Sequence, residues 1–145
     1  MKHAQQGAAM IEFALVLLLF LTFLLGITDF ARMLFTWSAA SEATRAGARY
    51  AVVCDDATRN AQVLARMQAM LPQISSVSTT WTPAGCTAAT CQGVTVTIPS
   101  TGINYQWISP VAGAAARGVT AMPSFSTYLP REIMWQDPNS AAICS

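Results

Sequence analysis

Charged side chains are scarce in this sequence. Lys, Arg, Asp and Glu make up 10% of its 145 residues, and the formal net charge is +1. Proteins that bind nucleic acid collect Lys and Arg on one surface, whereas the eight basic residues here are spread along the chain. We therefore expect no nucleic-acid partner.

Histidine is almost absent too, since His3 is the only one. A general base or an activated nucleophile needs an orienting partner, and the region after Val53 has no histidine to supply one. The acidic residues of that region are Asp55, Asp56, Glu132 and Asp137. The adjacent pair suits a helix cap better than a catalytic dyad. We therefore expect no enzyme, no catalytic residue and no cofactor.

Apolar residues make up 53% of the sequence and concentrate near its start. Residues 8–27 form a run of twenty with Glu12 as its only charge. A helix of that length spans about 30 Å, the thickness of a hydrocarbon core. A buried core helix fits less well, because Leu and Phe surround every face. A cleaved secretory signal fits less well, because no small-x-small site follows the run. The run predicts a membrane-spanning helix.

The charges that flank this run bear on its orientation. Lys2 and His3 precede it, which places the amino terminus in the cytoplasm by the positive-inside rule. Arg32, Arg45 and Arg49 lie on the other flank, so charge supports the orientation only in part.

No proline or turn cluster follows the run, so one helix is predicted from Ala8 to about Val53, about 45 residues and 70 Å long. In its second half small residues allow another surface to approach the backbone closely, and Glu42 and Arg45 are spaced to pair on an opposite, solvated face. The stripe expected to pack comprises Phe30, Met33, Leu34, Trp37, Ala40, Thr44, Gly47, Ala48 and Ala51.

The rest of the chain predicts a small α+β head. A second amphipathic helix is expected with Asp55 or Asp56 as its N-cap and Pro72 at its end. The segments "SSVSTTW" and "GVTVTI" are rich in Val, Ile and Thr and predict an antiparallel hairpin with a long loop. "FSTYLPREIMW" predicts a further strand, which Pro130 restricts to an edge or a bulge. Residues 99–124 are expected to be loop or short helix.

The four cysteines, Cys54, Cys86, Cys91 and Cys144, lie beyond the predicted span. In an oxidising space an even number of cysteines indicates two disulfides, although three connectivities are possible. The short spacing of Cys86 and Cys91 suits a local clip, which leaves Cys54 for Cys144. A zinc site is the alternative, but it lacks paired short spacings and a nearby histidine.

Glu12 raises a question of its own, because an ionisable group in a membrane segment costs a few kcal/mol or more unless it is paired. It indicates either a function within the membrane or a side chain that merely reaches water from the end of the run. Four aromatic residues leave a similar choice between a ligand-binding face and the core: Trp81, Tyr105, Trp107 and Trp135.

Gly7, the small and apolar residues after it, Glu12, Phe13 and the long apolar run resemble the cleavage and assembly signature of type IV pilin precursors. More narrowly, "GAAMIEFALVLLLFLTFLLGITDFARML" followed by "ASEATRAGARYAV" resembles the TadE-like family, minor pilins or pseudopilins of the tight adherence (Flp pilus) system of bacteria. The resemblance covers about residues 6–53.

The resemblance implies that a prepilin peptidase cuts between Gly7 and Ala8. Glu12, with Phe13 beside it, would then serve assembly by neutralising the new amino terminus of a neighbouring subunit. The implied organisation is a leader (1–7), a transmembrane and projecting assembly helix (8–53) and an extracytoplasmic head (54–145).

The expected function is that of a minor pilin in pilus biogenesis, adhesion and biofilm formation. Its expected partners are other pilin subunits, the pilus assembly platform and lipid of the bacterial inner membrane. The head would lie in the periplasm or, within a pilus, at the cell surface. The alternative is a single-pass anchored binding module that does not polymerise.

Overall fold

The computed structural model describes residues 3–54, 60–87, 90–109, 122–131 and 144. The chain divides into two compact units. One consists of Met1–Leu34 and Gln106–Thr120, and the other of Phe35–Tyr105 and Ala121–Ser145. The first helix contributes residues to both units.

Helix α1 is the long element that the sequence predicts, and it extends over His3–Cys54, 52 residues. Its part Gly7–Cys54 is long and apolar enough to cross a membrane. From Met10 to Ile27 the large apolar side chains are exposed on every side of the helix, from 38% for Leu25 to 77% for Phe23. Because this surface has no protein cover in the described part of the chain, lipid is the medium that suits it.

The hydroxyls in and just after this run are satisfied inside the helix. Thr22 Oγ1 donates to the carbonyl of Leu18 at 2.8 Å, and Thr28 Oγ1 donates to the carbonyl of Leu24 at 2.9 Å. A hydroxyl without such a bond is costly in hydrocarbon. Neither threonine therefore presents an unsatisfied hydroxyl to lipid.

In the second unit, α1 provides a wall of small buried residues. Ala40, Ala43, Ala48 and Ala51 are at most 5% exposed, and Thr44 is 1% exposed. Helix α2, Asn60–Met70, has Val63 and Met67 as its buried residues, and it approaches α1 closely at Gly47. A Cβ built on Gly47 would lie 2.7 Å from Met67 Sδ and 3.3 Å from Val63 Cγ1. A methyl group at residue 47 would therefore require the Met67 side chain to shift.

Helix α2 ends just before Pro72, as predicted. It begins at Asn60, whose Oδ1 accepts a hydrogen bond from Thr79 Oγ1. The expected cap at Asp55 or Asp56 lies outside the described residues.

The sheet has three antiparallel strands in the order β1-β2-β3. They are β1 (Ser78–Thr82), β2 (Gly93–Ile98) and β3 (Phe125–Pro130). In β2, Val94, Val96 and Ile98 are fully buried, and the residues between them are half-buried, so one face of this central strand forms the core. Val94 is opposite Trp81 on β1 and Leu129 on β3. The predicted hairpin with its long loop is confirmed, and so is the edge position of the strand that ends at Pro130.

Two side-chain contacts join α1 to β3 within this unit. The rings of Trp37 and Phe125 meet edge to face with their centroids 5.7 Å apart. The hydroxyls of Thr44 and Thr127 lie 2.9 Å apart. These contacts add to the wall of small residues in holding α1 against the head.

The predicted packing stripe is covered over only part of its length in the described part of the chain. Phe30 is 59% exposed and Leu34 is 52% exposed, whereas the stripe from Ala40 onwards is buried. Periodicity placed all these residues on one apolar face, but it does not say how far along the helix a neighbouring element reaches.

Of residues 99–124, the structure describes 99–109 and 122–124, and these contain no helix. Ile103 forms an isolated antiparallel bridge with Ile74, and both side chains are buried. Ser75 N donates to Gly102 O at 2.8 Å, and Asn104 N donates to Gln73 O at 3.1 Å. The described part, around residues 102–104, is therefore loop held by backbone hydrogen bonds, and loop is one of the two structures that the sequence predicts.

Candidate functional site

Glu12 and Phe13 lie on the apolar part of α1, and both are exposed, Phe13 at 66%. In the part of the chain that the structure describes, no ion pair includes Glu12. An unpaired carboxylate so near the hydrocarbon is unfavourable, so this position needs a partner from outside the described chain or access to water.

Gly7 and Ala8 lie in the first turns of α1 and are exposed. A Cβ built on Gly7 would meet nothing within 4 Å. No packing therefore requires glycine at this position. A larger side chain would fit here without disturbing the fold, so its effect would report on recognition by another protein.

Asp29 is the most constrained polar group of the first unit, and its side chain is 0% exposed. Its Oδ1 accepts a hydrogen bond from Ile108 N at 3.0 Å, and its Oδ2 accepts one from Ser109 N at 2.7 Å. Arg32 donates to Oδ1 from one turn along the helix, at 3.2 Å. Both carboxylate oxygens are thus bonded, and the negative charge has a neighbouring guanidinium.

The same arginine also contacts the chain segment that Asp29 binds. Arg32 Nη1 donates to the carbonyl of Gln106 at 3.4 Å. Asp29 and Arg32 together hold residues 106–109 against α1, about 75 to 80 residues away in the sequence. We call this set of contacts the Asp29 clasp: Asp29, Arg32 and residues 106–109.

The sequence indicates only the part of the Asp29 clasp that lies within α1. An acid and an arginine one turn apart just after an apolar run suggest a local ion pair. The decisive partners, however, are backbone N–H groups, which every residue but proline carries, so side-chain patterns do not reveal them.

The cysteines lie in two pairs at disulfide distance in the second unit. Cys54 and Cys144 have Cα atoms 5.4 Å apart, and Cys86 and Cys91 have Cα atoms 5.0 Å apart. Both separations fall in the usual range of roughly 4.4–6.8 Å. The pairs are those that the spacing favours, and oxidation of the protein in the cell stays a prediction.

Glu42 and Arg45 pair at 2.9 Å on the outside of α1, and both side chains are 59% exposed. A pair this exposed contributes little to stability. The expectation of a solvated charged face on this side of the helix is confirmed.

The aromatic residues give neither a fully buried set nor an open ligand face. Trp81, Tyr105 and Trp107 are all half-buried, and Trp135 lies outside the described residues.

The chain is similar to a known family over part of its length. The family model described as "TadE-like protein" matches residues 7–49, which confirms the resemblance over this segment. The match contains Gly7, Glu12 and both side chains of the Asp29 clasp. No curated protein and no solved structure matches the chain.

Proposed function

From the TadE-like segment at residues 7–49, we propose that this chain is a minor pilin or pseudopilin of a tight adherence (Flp) pilus system. The segment supports a pilus-associated protein, and the N-terminal apolar helix is its candidate membrane anchor. That the chain acts as a pilin subunit is the more specific part of the proposal. It rests on one observation above the others, which is an exposed Glu12 on an apolar helix surface that is open on all sides.

An open apolar helix surface is suited to a subunit that moves between lipid and other helices. The run from Met10 to Ile27 is exposed along its whole length, so neighbouring apolar helices can replace lipid around it. Glu12 then gains an ionic partner if the amino terminus of a neighbouring subunit lies beside it. Two opposite charges taken out of water together offset part of the cost that each has alone.

The amino terminus is produced, in this proposal, by a prepilin peptidase that cuts between Gly7 and Ala8. The free space around Gly7 supports a role in recognition, because the fold itself places no demand on it. The mature chain would be an assembly helix over residues 8–53 and an extracytoplasmic head over residues 54–145.

The proposed topology places the amino terminus in the cytoplasm and the head in the periplasm. Two cysteine pairs at disulfide distance support it, because disulfides persist in the oxidising bacterial periplasm. Other pilin subunits, the pilus assembly platform and inner membrane lipid are the proposed partners, in support of pilus biogenesis, adhesion and biofilm formation.

Mass spectrometry of the amino terminus of protein isolated from its own envelope tests the proposal. We expect a chain that begins at Ala8. Replacing Gly7 with Trp should leave the full-length precursor in the membrane, with the head folded as in the wild type. Gly26→Trp is the matched control, since a Cβ on Gly26 also meets nothing within 4 Å. A native protein that keeps Met1, unchanged by Gly7→Trp, would contradict processing.

The second candidate is a single-pass anchored binding module that never polymerises. It is favoured by the half-buried aromatic residues of the head, Trp81 and Tyr105, which retain surface for a ligand. Co-purification of pilin subunits with the native protein distinguishes the two, because a module that does not polymerise would retain none.

A further inference from the structure

The Asp29 clasp lies at the level where α1 leaves the apolar run. Asp29 follows Ile27 by two residues, which is about 3 Å along a helix axis. The headgroup layer on each side of a bilayer is about 5 to 8 Å thick. If residues 8–27 span the hydrocarbon, as in the proposed function, Asp29 lies at headgroup depth.

The direction of the Asp29 side chain brings its oxygens closer still to the hydrocarbon. In an α-helix the Cα–Cβ bond tilts towards the amino terminus, so a side chain covers the turn before its own Cα. The turn before Asp29 belongs to the apolar run. The backbone N–H groups of Ile108 and Ser109 reach Asp29 at 3.0 and 2.7 Å, so this part of the loop is at the same depth.

The surface of α1 around Asp29 is apolar. Phe30 is 59% exposed and Leu34 is 52% exposed, so the apolar surface continues for more than a turn beyond Asp29. A bare carboxylate on such a surface would be unfavourable in or near lipid, and here it is 0% exposed because the loop covers it.

The loop itself presents an apolar side chain outwards. Ile108 is 55% exposed although its N–H is fixed on Asp29. Trp107 beside it is half-buried, and tryptophan is enriched at membrane interfaces. Arg32, whose side chain is 37% exposed, adds a cation at the depth of lipid phosphates.

We propose that residues 106–109 form a second membrane contact, in which the Asp29 clasp holds Ile108 and Trp107 in the headgroup layer of the bilayer from which α1 emerges. The clasp then has two effects. It satisfies a carboxylate that would otherwise face lipid, and it makes a segment remote in sequence part of the anchor. The proposal rests on the spanning role of α1 and goes beyond it, because the anchor alone requires no loop at this depth.

Depth-dependent quenching of Trp107 emission tests the proposal. Trp37, Trp81 and Trp135 are replaced with Phe in the full-length chain, which is then reconstituted in vesicles of phosphatidylcholine and phosphatidylglycerol. We expect lipids brominated close to the headgroup to quench Trp107 more strongly than lipids brominated near the chain ends. We expect aqueous iodide to quench it less than it quenches free tryptophan. Far-UV circular dichroism establishes that the variant keeps the wild-type fold.

A second variant tests the role of the exposed side chain. Ile108→Ser keeps the backbone N–H that Asp29 binds but removes the apolar contact, and it should reduce quenching by the shallow bromine. Met70→Ser is the matched control, since Met70 is 51% exposed on α2, and it should leave the quenching unchanged.

The outcomes separate this proposal from the anchor. A chain that resists alkaline extraction, but whose Trp107 is quenched by iodide and by neither brominated lipid, would overturn the membrane contact and leave the anchor intact. A chain that alkaline extraction removes from the vesicles would overturn the anchor and the membrane contact together.

Discussion

The pair Cys54 and Cys144 should contribute more to the stability of the head than the pair Cys86 and Cys91, because it closes a much longer loop. The sequence separations are 90 and 5 residues. In the chain-entropy model these loops correspond to about 4.6 and about 2 kcal/mol at 25 °C. The model counts only the entropy that a cross-link removes from the unfolded chain, so strain in the folded state would lower both values.

The test compares two double variants, Cys54→Ala with Cys144→Ala and Cys86→Ala with Cys91→Ala. Urea unfolding of the full-length protein in detergent micelles, followed by tryptophan emission, reports on the head. With a slope of at most about 3 kcal/mol per molar, the first variant should lower the midpoint by roughly 1.5 M or more, and the second by about half as much. Alanine avoids leaving a hydroxyl at Cys54, which is 4% exposed.

Equal midpoint losses in the two variants would refute the argument from loop length. An unchanged midpoint in the Cys54 and Cys144 variant would refute the larger bond itself. Peptide mapping without reduction, on protein isolated from the envelope, checks the same bonds independently. Free thiols at all four positions would contradict both the pairing and the proposed periplasmic location.

Two further substitutions test assembly and packing. Glu12→Gln removes the charge while leaving the helix more apolar, so it should insert into the membrane as the wild type does but lose co-purifying pilin subunits. Glu42→Gln is the control, because Glu42 is an exposed glutamate of the same helix, and this variant should keep the co-purifying pilin subunits. If Glu12→Gln assembles as the wild type does, Glu12 is a residue that only reaches water. Gly47→Ala gains about 1 kcal/mol of helix propensity. The added methyl group is forced against the fully buried Met67, and overpacking of this kind costs about 1–3 kcal/mol. The midpoint of urea unfolding should therefore not rise in this variant. Gly26→Ala is the control, because a Cβ on Gly26 meets no atom within 4 Å, and it should not lower the urea midpoint. A Gly47→Ala variant that is more stable than the wild type would show that Met67 has room to move.

The elements of this fold were largely predictable because their signals are local. An apolar run without proline predicts a long helix whatever surrounds it, and α1 differs from the expectation mainly in beginning at His3. The hairpin was equally clear, since two Val- and Thr-rich segments flank a loop that contains Gly85 with a φ of 75°. Pro130 marked the edge strand because it has no N–H to donate.

What the sequence did not predict depends on contacts between distant residues. Phe30 and Leu34 are exposed although they share the apolar stripe of α1, because periodicity does not record which residues of a stripe are covered. The Asp29 clasp joins an acid to backbone groups 79 and 80 residues away, and one sequence offers no sign of that pairing. The partner of the small residues around Gly47 was also left open, and it proves to be α2 of the same chain.

The close approach of α1 and α2 at Gly47 decides how the head can be produced as a soluble fragment. Residues 40–51 of α1 are part of the wall of the head's core, so a fragment that begins after Cys54 would uncover Val63 and Met67, which contact α1 at Gly47. Apolar surface of this kind leads to aggregation. A fragment that begins between Phe30 and Thr36 omits the apolar run and retains the whole wall, so it is the shortest fragment for which we expect a folded head.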